Sequence, residues 1–214
     1  MFKFCVFDMD GTVVNTIGDI AAALNRSLAA LGFAEHSEEE YCQMIGNGME
    51  MLCRRAAPNA SEDDIQKLIA LYNKDYTQNC CEKSCIYDGV EAAVRELKKK
   101  GVVCAMLSNK PHGQVMEIAD VLFEDGLFDE ILGQTPKFPT KPAPDSLFDM
   151  MKRHGFTKAE TAYIGDSNVD IRLGKAAGVY TVGVSWGFRG EAELSAEGAD
   201  AIAHNADELL KYLG

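Results

Sequence analysis

Residues 4–12 read FCVFDMDGT, a continuous apolar run that ends at two aspartates separated by one residue. A short apolar run bounded by a glycine is typical of a strand that is buried on both faces of a parallel sheet. Side chains two positions apart on a strand point the same way, so Asp8 and Asp10 can face one pocket. Because ligands bind beyond the carboxyl ends of such strands, we predict an α/β protein whose chemistry takes place at the end of this first strand.

The two aspartates favour a metal ion. Carboxylates this close repel each other at neutral pH unless a cation lies between them. Oxygen ligands on a tight turn suit Mg²⁺, which takes one or two carboxylates together with water and phosphate oxygens of a substrate. For either aspartate alone, a role in the turn or as the cap of the next helix is the alternative. Matching polar residues further along the chain favour the metal site.

Length and charge limit the kinds of partner. A chain of 214 residues can bury a core as one large domain or as a core with a smaller insertion. The 21 Lys and Arg residues against 33 Asp and Glu give a formal net charge of −12, which argues against nucleic acid or an anionic membrane as partner. No apolar stretch approaches the roughly 18 residues of a membrane span. The N-terminal run makes a poor signal peptide, so we expect a cytoplasmic protein.

The seven cysteines, an odd number scattered along the chain, indicate reduced thiols in the cytoplasm. Cys80, Cys81 and Cys85 lie close together in the sequence. Their spacing matches no common zinc pattern, and no histidine is near them. We expect small apolar side chains near the end of a helix there, with a soft-metal site as the alternative.

Residues from about 17 to 81 carry only helical patterns, with apolar side chains three and four positions apart. Three pairs have the spacing of a capping box at a helix start: Thr16 with Asp19, Ser37 with Glu40, and Ser61 with Asp64. The segment therefore predicts three or four helices inserted after the first strand, with hinges near Asn15 and Ser84. The predicted domains are residues 15–84, all helical, and residues 1–14 with 85–214, an α/β core.

From Asp88 onward, helices and strands alternate. Further strands are expected at residues 102–107, 130–133, 161–164 and 179–184. The helices between them are expected from Val90, at 112–124, at 145–154, up to Ala177 and after Asn205. Strands separated by helices of this length indicate βαβ units, so we predict a doubly wound parallel sheet.

Polar residues cluster where these strands end. Ser108 and Asn109 follow the second predicted strand, Lys141 lies in the loop after the third, and Asp166 and Asp170 follow the fourth. Because parallel strands end at one edge of the sheet, these residues are expected to lie beside Asp8 and Asp10. Each cluster alone could be a turn, a cap or a solvated loop. Together they supply carboxylates, a hydroxyl, amides and an ammonium, which is what phosphoryl transfer requires.

In order and spacing, four motifs resemble those of the haloacid dehalogenase superfamily of phosphohydrolases. They are Phe7–Thr12, Leu107–Lys110, Lys141-Pro142 and Gly165–Asp170. The stretches around Ser108 and Lys141 and residues 165–187 are similar to the phosphoglycolate phosphatase branch. The resemblance implies a Rossmann-like core and makes the helical insertion a cap domain. It also implies Asp8 as the nucleophile that becomes an aspartyl phosphate, and Asp10 as general acid and then general base.

The resemblance also implies the rest of the site. Mg²⁺ would be held by Asp8, by the backbone carbonyl of Asp10 and by Asp166. The phosphoryl group would be bound by five residues: Gly11, Thr12, Ser108, Asn109 and Lys141. Asp170 has capping-box spacing with Ser167, so it starts a helix or supports the metal ligands.

Substrate choice in this family lies largely with the cap. The loop Gly46-Asn47-Gly48 resembles the one that phosphoglycolate phosphatases present to the site, where its amides could meet a small carboxylate. Arg54 and Arg55 follow, but an arginine pair on a helix is more often a solvated face. The resemblance favours a small phosphorylated metabolite, with 2-phosphoglycolate as the first choice. No oligomeric state is indicated.

Other readings stay open at this point. A broad sugar-phosphate or nucleotide phosphatase, a pyrophosphatase and a phosphosugar mutase share the core motifs. A non-catalytic receiver-like module fits badly, because a receiver carries its phospho-accepting aspartate after the third strand, where this chain has Gly133-Gln134-Thr135. Sustained turnover of phosphate would separate an enzyme from such a module.

Overall fold

The computed structural model describes all 214 residues, which form eight strands and ten α-helices. The strands are β1 (Phe4–Phe7), β2 (Val14–Asn15), β3 (Cys85–Ile86), β4 (Val103–Pro111), β5 (Glu130–Gln134), β6 (Thr161–Gly165), β7 (Tyr180–Val184) and β8 (Ala201–Ala203). The helices are α1 (Ile17–Ala30), α2 (Glu38–Met44), α3 (Met49–Ala56), α4 (Glu62–Asn79), α5 (Val90–Lys99), α6 (His112–Leu122), α7 (Asp145–His154), α8 (Asn168–Ala177), α9 (Glu191–Ala196) and α10 (Ala206–Leu213).

Six strands form one parallel sheet in the order β5-β4-β1-β6-β7-β8. All four residues of β1 are buried, and its side chains alternate between two apolar layers. Phe7 packs in the layer that contains Val94 of α5 and Ile118 of α6, whereas Phe4 packs in the layer that contains Leu173 of α8. Helices therefore cover both faces, and the predicted doubly wound α/β fold is confirmed.

The strand order reverses at β1. The chain passes from β1 to β4 and β5 on one side, and then places β6, β7 and β8 on the other. In open sheets a crevice forms outside the carboxyl ends of the strands at such a reversal. Residues directly after β1 and β6 lie at this crevice together with the last part of β4. Ser108 and Asn109 are thus inside β4, which runs beyond its predicted end at residue 107.

Helices α1 to α4 occupy residues 17–79, within the helical segment predicted between the first two core strands. At its base, β2 and β3 form a two-stranded antiparallel ribbon. Tyr41 and Tyr72 of this segment belong to the same buried apolar cluster as Phe7 and Met9 of the sheet. The division into a cap of residues 15–84 and a core of residues 1–14 and 85–214 stays a prediction.

Helices begin at all three predicted positions, and two of the three predicted side-chain caps form. Ser37 caps α2 with a complete capping box, and the side chain of Ser61 accepts the backbone N–H of Asp64 at the start of α4. The predicted box of Thr16 with Asp19 is wrong. The Thr16 hydroxyl instead donates to Asp10 at 2.6 Å.

Asp19 has a tertiary role in place of a cap. Its buried carboxylate accepts the backbone N–H groups of Lys83 and Ser84 and the hydroxyl of Ser84, at 2.6 to 3.1 Å. These partners lie 64 and 65 positions away, where α4 returns toward β3. The carboxylate thus ties both ends of the helical segment together.

The sequence patterns predicted neither β8 nor α9, which contain three and six residues. All seven cysteines are free thiols. The sulfurs of Cys80 and Cys81 lie 3.6 Å apart just after α4, and Cys85 is exposed. None of the ten helices has the length and apolar character that crossing a membrane requires.

Candidate active site

The turn after β1 is shaped by close packing against Asp166. Gly11 has a φ of +83°, and a Cβ at this position would overlap the Asp166 carboxylate. Only glycine combines this backbone conformation with so close an approach. Met9 points into the apolar core, so Asp8 and Asp10 are left on the side of the crevice.

Three buried carboxylates meet at this turn. Oxygen atoms of Asp8, Asp166 and Asp170 all lie within 4.8 Å of one another. Burial and the negative charge of Asp170 raise the pKa of Asp8 to about 7, although Lys141 acts in the opposite direction. Burial and the charges of Asp170 and Asp8 also raise the pKa of Asp166 well above its usual range. Such a cluster of oxygen ligands could hold a metal ion, whose charge would keep the carboxylates ionised.

Lys141 is the cation inside this cluster. Its ammonium lies 2.7 Å from Asp8 Oδ1 and 2.8 Å from Asp170 Oδ1, and the side chain is almost completely buried. Burial alone lowers the pKa of Lys141, but the charges of Asp170 and Asp8 outweigh it, so the pKa is raised well above its usual value. Asp170 Oδ2 also accepts the backbone N–H and hydroxyl of Ser167 at the start of α8. Asp170 therefore both starts a helix and fixes Lys141.

Asn109 connects three parts of the site through its side chain. Its Oδ1 accepts the backbone N–H of Lys141 at 2.8 Å, and its Nδ2 donates to the carbonyls of Lys141 and Gly46 at 3.1 and 2.9 Å. Ser108 is buried beside it, and its hydroxyl oxygen accepts the backbone N–H of Lys110. The side chain of Asn109 is thus fully engaged, which leaves its backbone amide as the group expected to meet a phosphoryl oxygen.

Asp10 is held apart from the three clustered carboxylates. Lys110 Nζ lies 3.0 and 3.1 Å from its two carboxylate oxygens, and the Thr16 hydroxyl donates to Oδ1. Burial lowers the pKa of Lys110, but the charge of Asp10 more than compensates, so the pKa is raised overall. Sequence reasoning gave Lys110 no role. Lys110 comes two positions after Ser108 near a strand end, just as Asp10 comes two positions after Asp8. That spacing could have indicated that Lys110 faces the same site.

The loop Gly46-Asn47-Gly48 approaches the crevice from the helical segment. Gly46 and Gly48 have φ angles of +120° and +84°, a region that favours glycine. Arg55 donates to Met44 O at 2.6 Å and to Asn47 Oδ1 at 2.7 Å, so it supports this loop. The other member of the arginine pair lies on the surface, where it bonds two glutamates of α3 and α4.

Arg189, in the loop after β7, is a second residue that sequence reasoning missed. Its guanidinium donates to Gln43 Oε1 at 2.6 Å and to Ile45 O at 3.0 Å. Both partners belong to α2 and its C-terminal cap. Arg189 therefore joins the core to the helical segment at Ile45, next to the Gly46 carbonyl that accepts from Asn109.

These groups surround one cavity. Its volume is about 50 Å³, room for roughly three to five waters. Eight of the predicted residues line it: Asp8, Asp10, Gly46, Gly48, Ser108, Asn109, Lys141 and Asp166.

The other predicted residues lie outside the wall of the cavity, each for a visible reason. Gly11 and Thr12 pack on Asp166, to which the Thr12 hydroxyl donates at 3.4 Å. Asn47 is bound by Arg55, and Asp170 lies behind Lys141.

Comparison with known proteins identifies the family. The family model of the haloacid dehalogenase-like hydrolases matches residues 5–184. A phosphoglycolate phosphatase of Haemophilus influenzae is 32% identical, with 99% of this chain and 98% of that protein aligned. One of Pseudomonas putida is also 32% identical, over 97% of this chain and 78% of that protein.

Solved structures agree. The crystal structure of a predicted phosphoglycolate phosphatase from Haemophilus somnus superposes with a TM-score of 0.92 at 29% identity, over 100% of this chain and 98% of that one. The family model covers most of the chain, and the relatives align over nearly all of it, so the expected family and the expected phosphatase are both confirmed. The chain belongs to the haloacid dehalogenase-like hydrolase family and is a phosphatase that acts on a phosphorylated substrate.

Proposed function

We propose that this phosphatase is a Mg²⁺-dependent phosphomonoester hydrolase that acts through an aspartyl phosphate, with 2-phosphoglycolate as its substrate. The observation that carries the proposal is the arrangement of Asp8, Lys141 and Asp166 in one small cavity with Asp10 beside them. Near-full-length relatives named phosphoglycolate phosphatase support the choice of substrate.

Asp8 is the nucleophile in this mechanism. Its carboxylate attacks phosphorus, the bond from phosphorus to the substrate oxygen breaks, and Asp10 donates a proton to the leaving oxygen. Asp10 then accepts a proton from the water that attacks the aspartyl phosphate. That second step releases inorganic phosphate and restores the Asp8 carboxylate.

The remaining residues position and neutralise charge. Lys141 binds a phosphoryl oxygen while Asp170 and Tyr163 hold its ammonium in place. Ser108 and the backbone amide of Asn109 donate to the other oxygens, which supplies the electrostatic stabilisation that dominates phosphoryl transfer. The carboxylates of Asp8 and Asp166 and the carbonyl of Asp10 would hold Mg²⁺, which supplies positive charge to the transferring group.

The size of the cavity supports a small substrate. Its volume of about 50 Å³ matches a phosphoryl group and a few further atoms, and residues of the helical segment form part of its wall. The residues proposed as a cap, 15–84, would therefore select substrates by closing over them. The expected absence of nucleic-acid and membrane partners and the cytoplasmic location stay predictions.

Phosphate release tests the proposal. The wild-type enzyme with Mg²⁺ is expected to hydrolyse 2-phosphoglycolate in preference to sugar phosphates, nucleotides and pyrophosphate. Asp8→Asn is expected to lower kcat at least about a thousandfold, and Asp63→Asn, at an exposed position on α4, serves as the control. Turnover by Asp8→Asn near the wild-type rate would refute the nucleophile, and broad weak hydrolysis would refute the substrate.

A further inference from the structure

Apart from the backbone of Gly46 and Gly48, the helical segment lines the cavity with side chains that are apolar, with one exception. Ile20 of α1 and Met49 and Leu52 of α3 contribute only carbon and sulfur there. Tyr72 of α4 is the exception, because it lines the cavity and carries a hydroxyl. An atom of the substrate that requires a hydrogen-bond donor from this wall can therefore meet only one side chain.

The Tyr72 hydroxyl has no hydrogen-bond partner although the side chain is completely buried. Leaving a buried hydroxyl unpaired costs roughly 1–3 kcal/mol, so native proteins rarely do so without a functional reason. Burial raises the pKa of Tyr72 well above its ordinary value, with the nearby charge of Lys110 acting against this rise. The phenol therefore keeps its proton at neutral pH and is available as a donor.

Lys110 also lines the cavity, close to the two stacked tyrosine rings. Its ammonium is 4.7 Å from the centroid of the Tyr76 ring, which stacks on the Tyr72 ring at 5.1 Å. The carboxylate of Asp10 accepts from this ammonium, which has three N–H groups in all. A positive charge and an unpaired donor thus lie close to each other, and neither belongs to the group of Asp8, Lys141 and Asp166.

We infer that the Tyr72 hydroxyl and the Lys110 ammonium form the subsite for a carboxylate on the leaving group of the substrate. This inference rests on the proposed function and adds the residues that select an acidic leaving group. The carbons between phosphate and carboxylate lie against the apolar wall, and the carboxylate satisfies the hydroxyl that is otherwise unpaired. Tyr72 discriminates between substrates and takes no part in the transfer of phosphate.

Tyr76 provides a matched control. Its hydroxyl is also buried and unpaired, but this residue does not line the cavity. Tyr72→Phe and Tyr76→Phe each remove one oxygen atom from neighbouring stacked rings of the same helix. Because an unpaired buried hydroxyl does not stabilise the fold, both variants are expected to unfold at or above the wild-type temperature.

The test measures binding by titration calorimetry with Mg²⁺ in the Asp8→Asn background, which prevents turnover. The two ligands are 2-phosphoglycolate and ethyl phosphate, which lacks the carboxylate. Adding Tyr72→Phe is expected to weaken binding of 2-phosphoglycolate by about tenfold or more while binding of ethyl phosphate changes less than about twofold. Adding Tyr76→Phe is expected to change neither.

Equal effects of Tyr72→Phe on both ligands, no effect on either, or the same selective loss with Tyr76→Phe would overturn the inference. The measurement of phosphate release by the wild-type enzyme tests the proposed function separately. If the wild-type enzyme prefers another phosphate while Tyr72→Phe still weakens only the acidic ligand, the proposed substrate fails and the subsite stands. If 2-phosphoglycolate is hydrolysed and the selective loss is absent, the subsite alone fails.

Discussion

Replacing Lys141 by methionine is expected to destabilise the metal-free protein strongly. The substitution keeps an unbranched side chain, one atom shorter, but removes the cation that contacts Asp8 at 2.7 Å and Asp170 at 2.8 Å. The carboxylates of Asp8, Asp166 and Asp170 then share a buried site without a positive charge. Removing one partner of a buried ion pair costs about 3–5 kcal/mol of unfolding free energy, and we expect Lys141→Met to fall in this range.

The matched control is Lys137→Met. Lys137 lies in the same loop, but its side chain is 65% exposed and its ion pair with Asp149 spans 3.5 Å. Exposed pairs of this kind contribute little. Both variants are compared with the wild type by urea denaturation in the presence of a chelator, with the fluorescence of Trp186, the only tryptophan, as the signal.

The pH dependence gives a second check with a defined sign. The pKa of Asp8 rises to about 7 in the folded protein, so its ionisation lowers stability as pH increases from its unfolded pKa of about 4 toward 7. In the wild type Lys141 already limits this rise, so without it the pKa of Asp8 is higher still and ionisation at neutral pH costs more stability. The difference in unfolding free energy between the two proteins is therefore expected to be larger at pH 8 than at pH 5. The reasoning would be refuted if Lys141→Met lost no more unfolding free energy than Lys137→Met. It would also be refuted if the loss in Lys141→Met were larger at pH 5 than at pH 8.

Three further predictions concern the bonds of Asp19 at the base of the helical segment, the contact between core and helical segment, and the metal. Asp19→Asn places an amide donor against the N–H groups that now donate to the carboxylate. In urea denaturation it should lower the unfolding free energy by about 2–3 kcal/mol. Asp63→Asn, at an exposed position, should leave the unfolding free energy nearly unchanged. Arg189→Met removes two hydrogen bonds to the helical segment, so the KM for 2-phosphoglycolate should rise about tenfold. The surface variant Arg172→Met is the control. An unchanged KM in Arg189→Met, or an equal rise in Arg172→Met, would contradict this role. Excess chelator should stop phosphate release and added Mg²⁺ should restore it, and full activity in chelator would refute the metal assignment.

The parts of the fold that sequence patterns predicted are those with a local physical cause. The run from Phe4 to Phe7 had to be buried on both faces, and it forms the central strand of the sheet. Asp8, Ser108, Lys141 and Asp166 converge on one cavity because parallel strands end at one edge. This convergence follows from topology, which a single sequence indicates through its alternating helices and strands.

The errors and omissions come from partners that are distant in sequence. Thr16 and Asp19 have capping-box spacing, but Asp10 and Ser84 use their side chains instead, and local spacing does not show such competition. Arg189 reaches the helical segment from a loop whose direction depends on tertiary packing. Lys110 was overlooked because β4 continues through Pro111, beyond the predicted end of that strand at residue 107.

The most direct test of the central claim is a crystal structure of the enzyme with Mg²⁺ and beryllium fluoride, a mimic of a phosphoryl group bonded to a carboxylate. Our account predicts that the mimic is bonded to an oxygen of Asp8, with its fluorine atoms within hydrogen-bond distance of Lys141 Nζ and the Ser108 hydroxyl. Density for the mimic on Asp10 or Asp166, or free in the cavity with Asp8 unmodified, would contradict the assignment of Asp8 as the nucleophile.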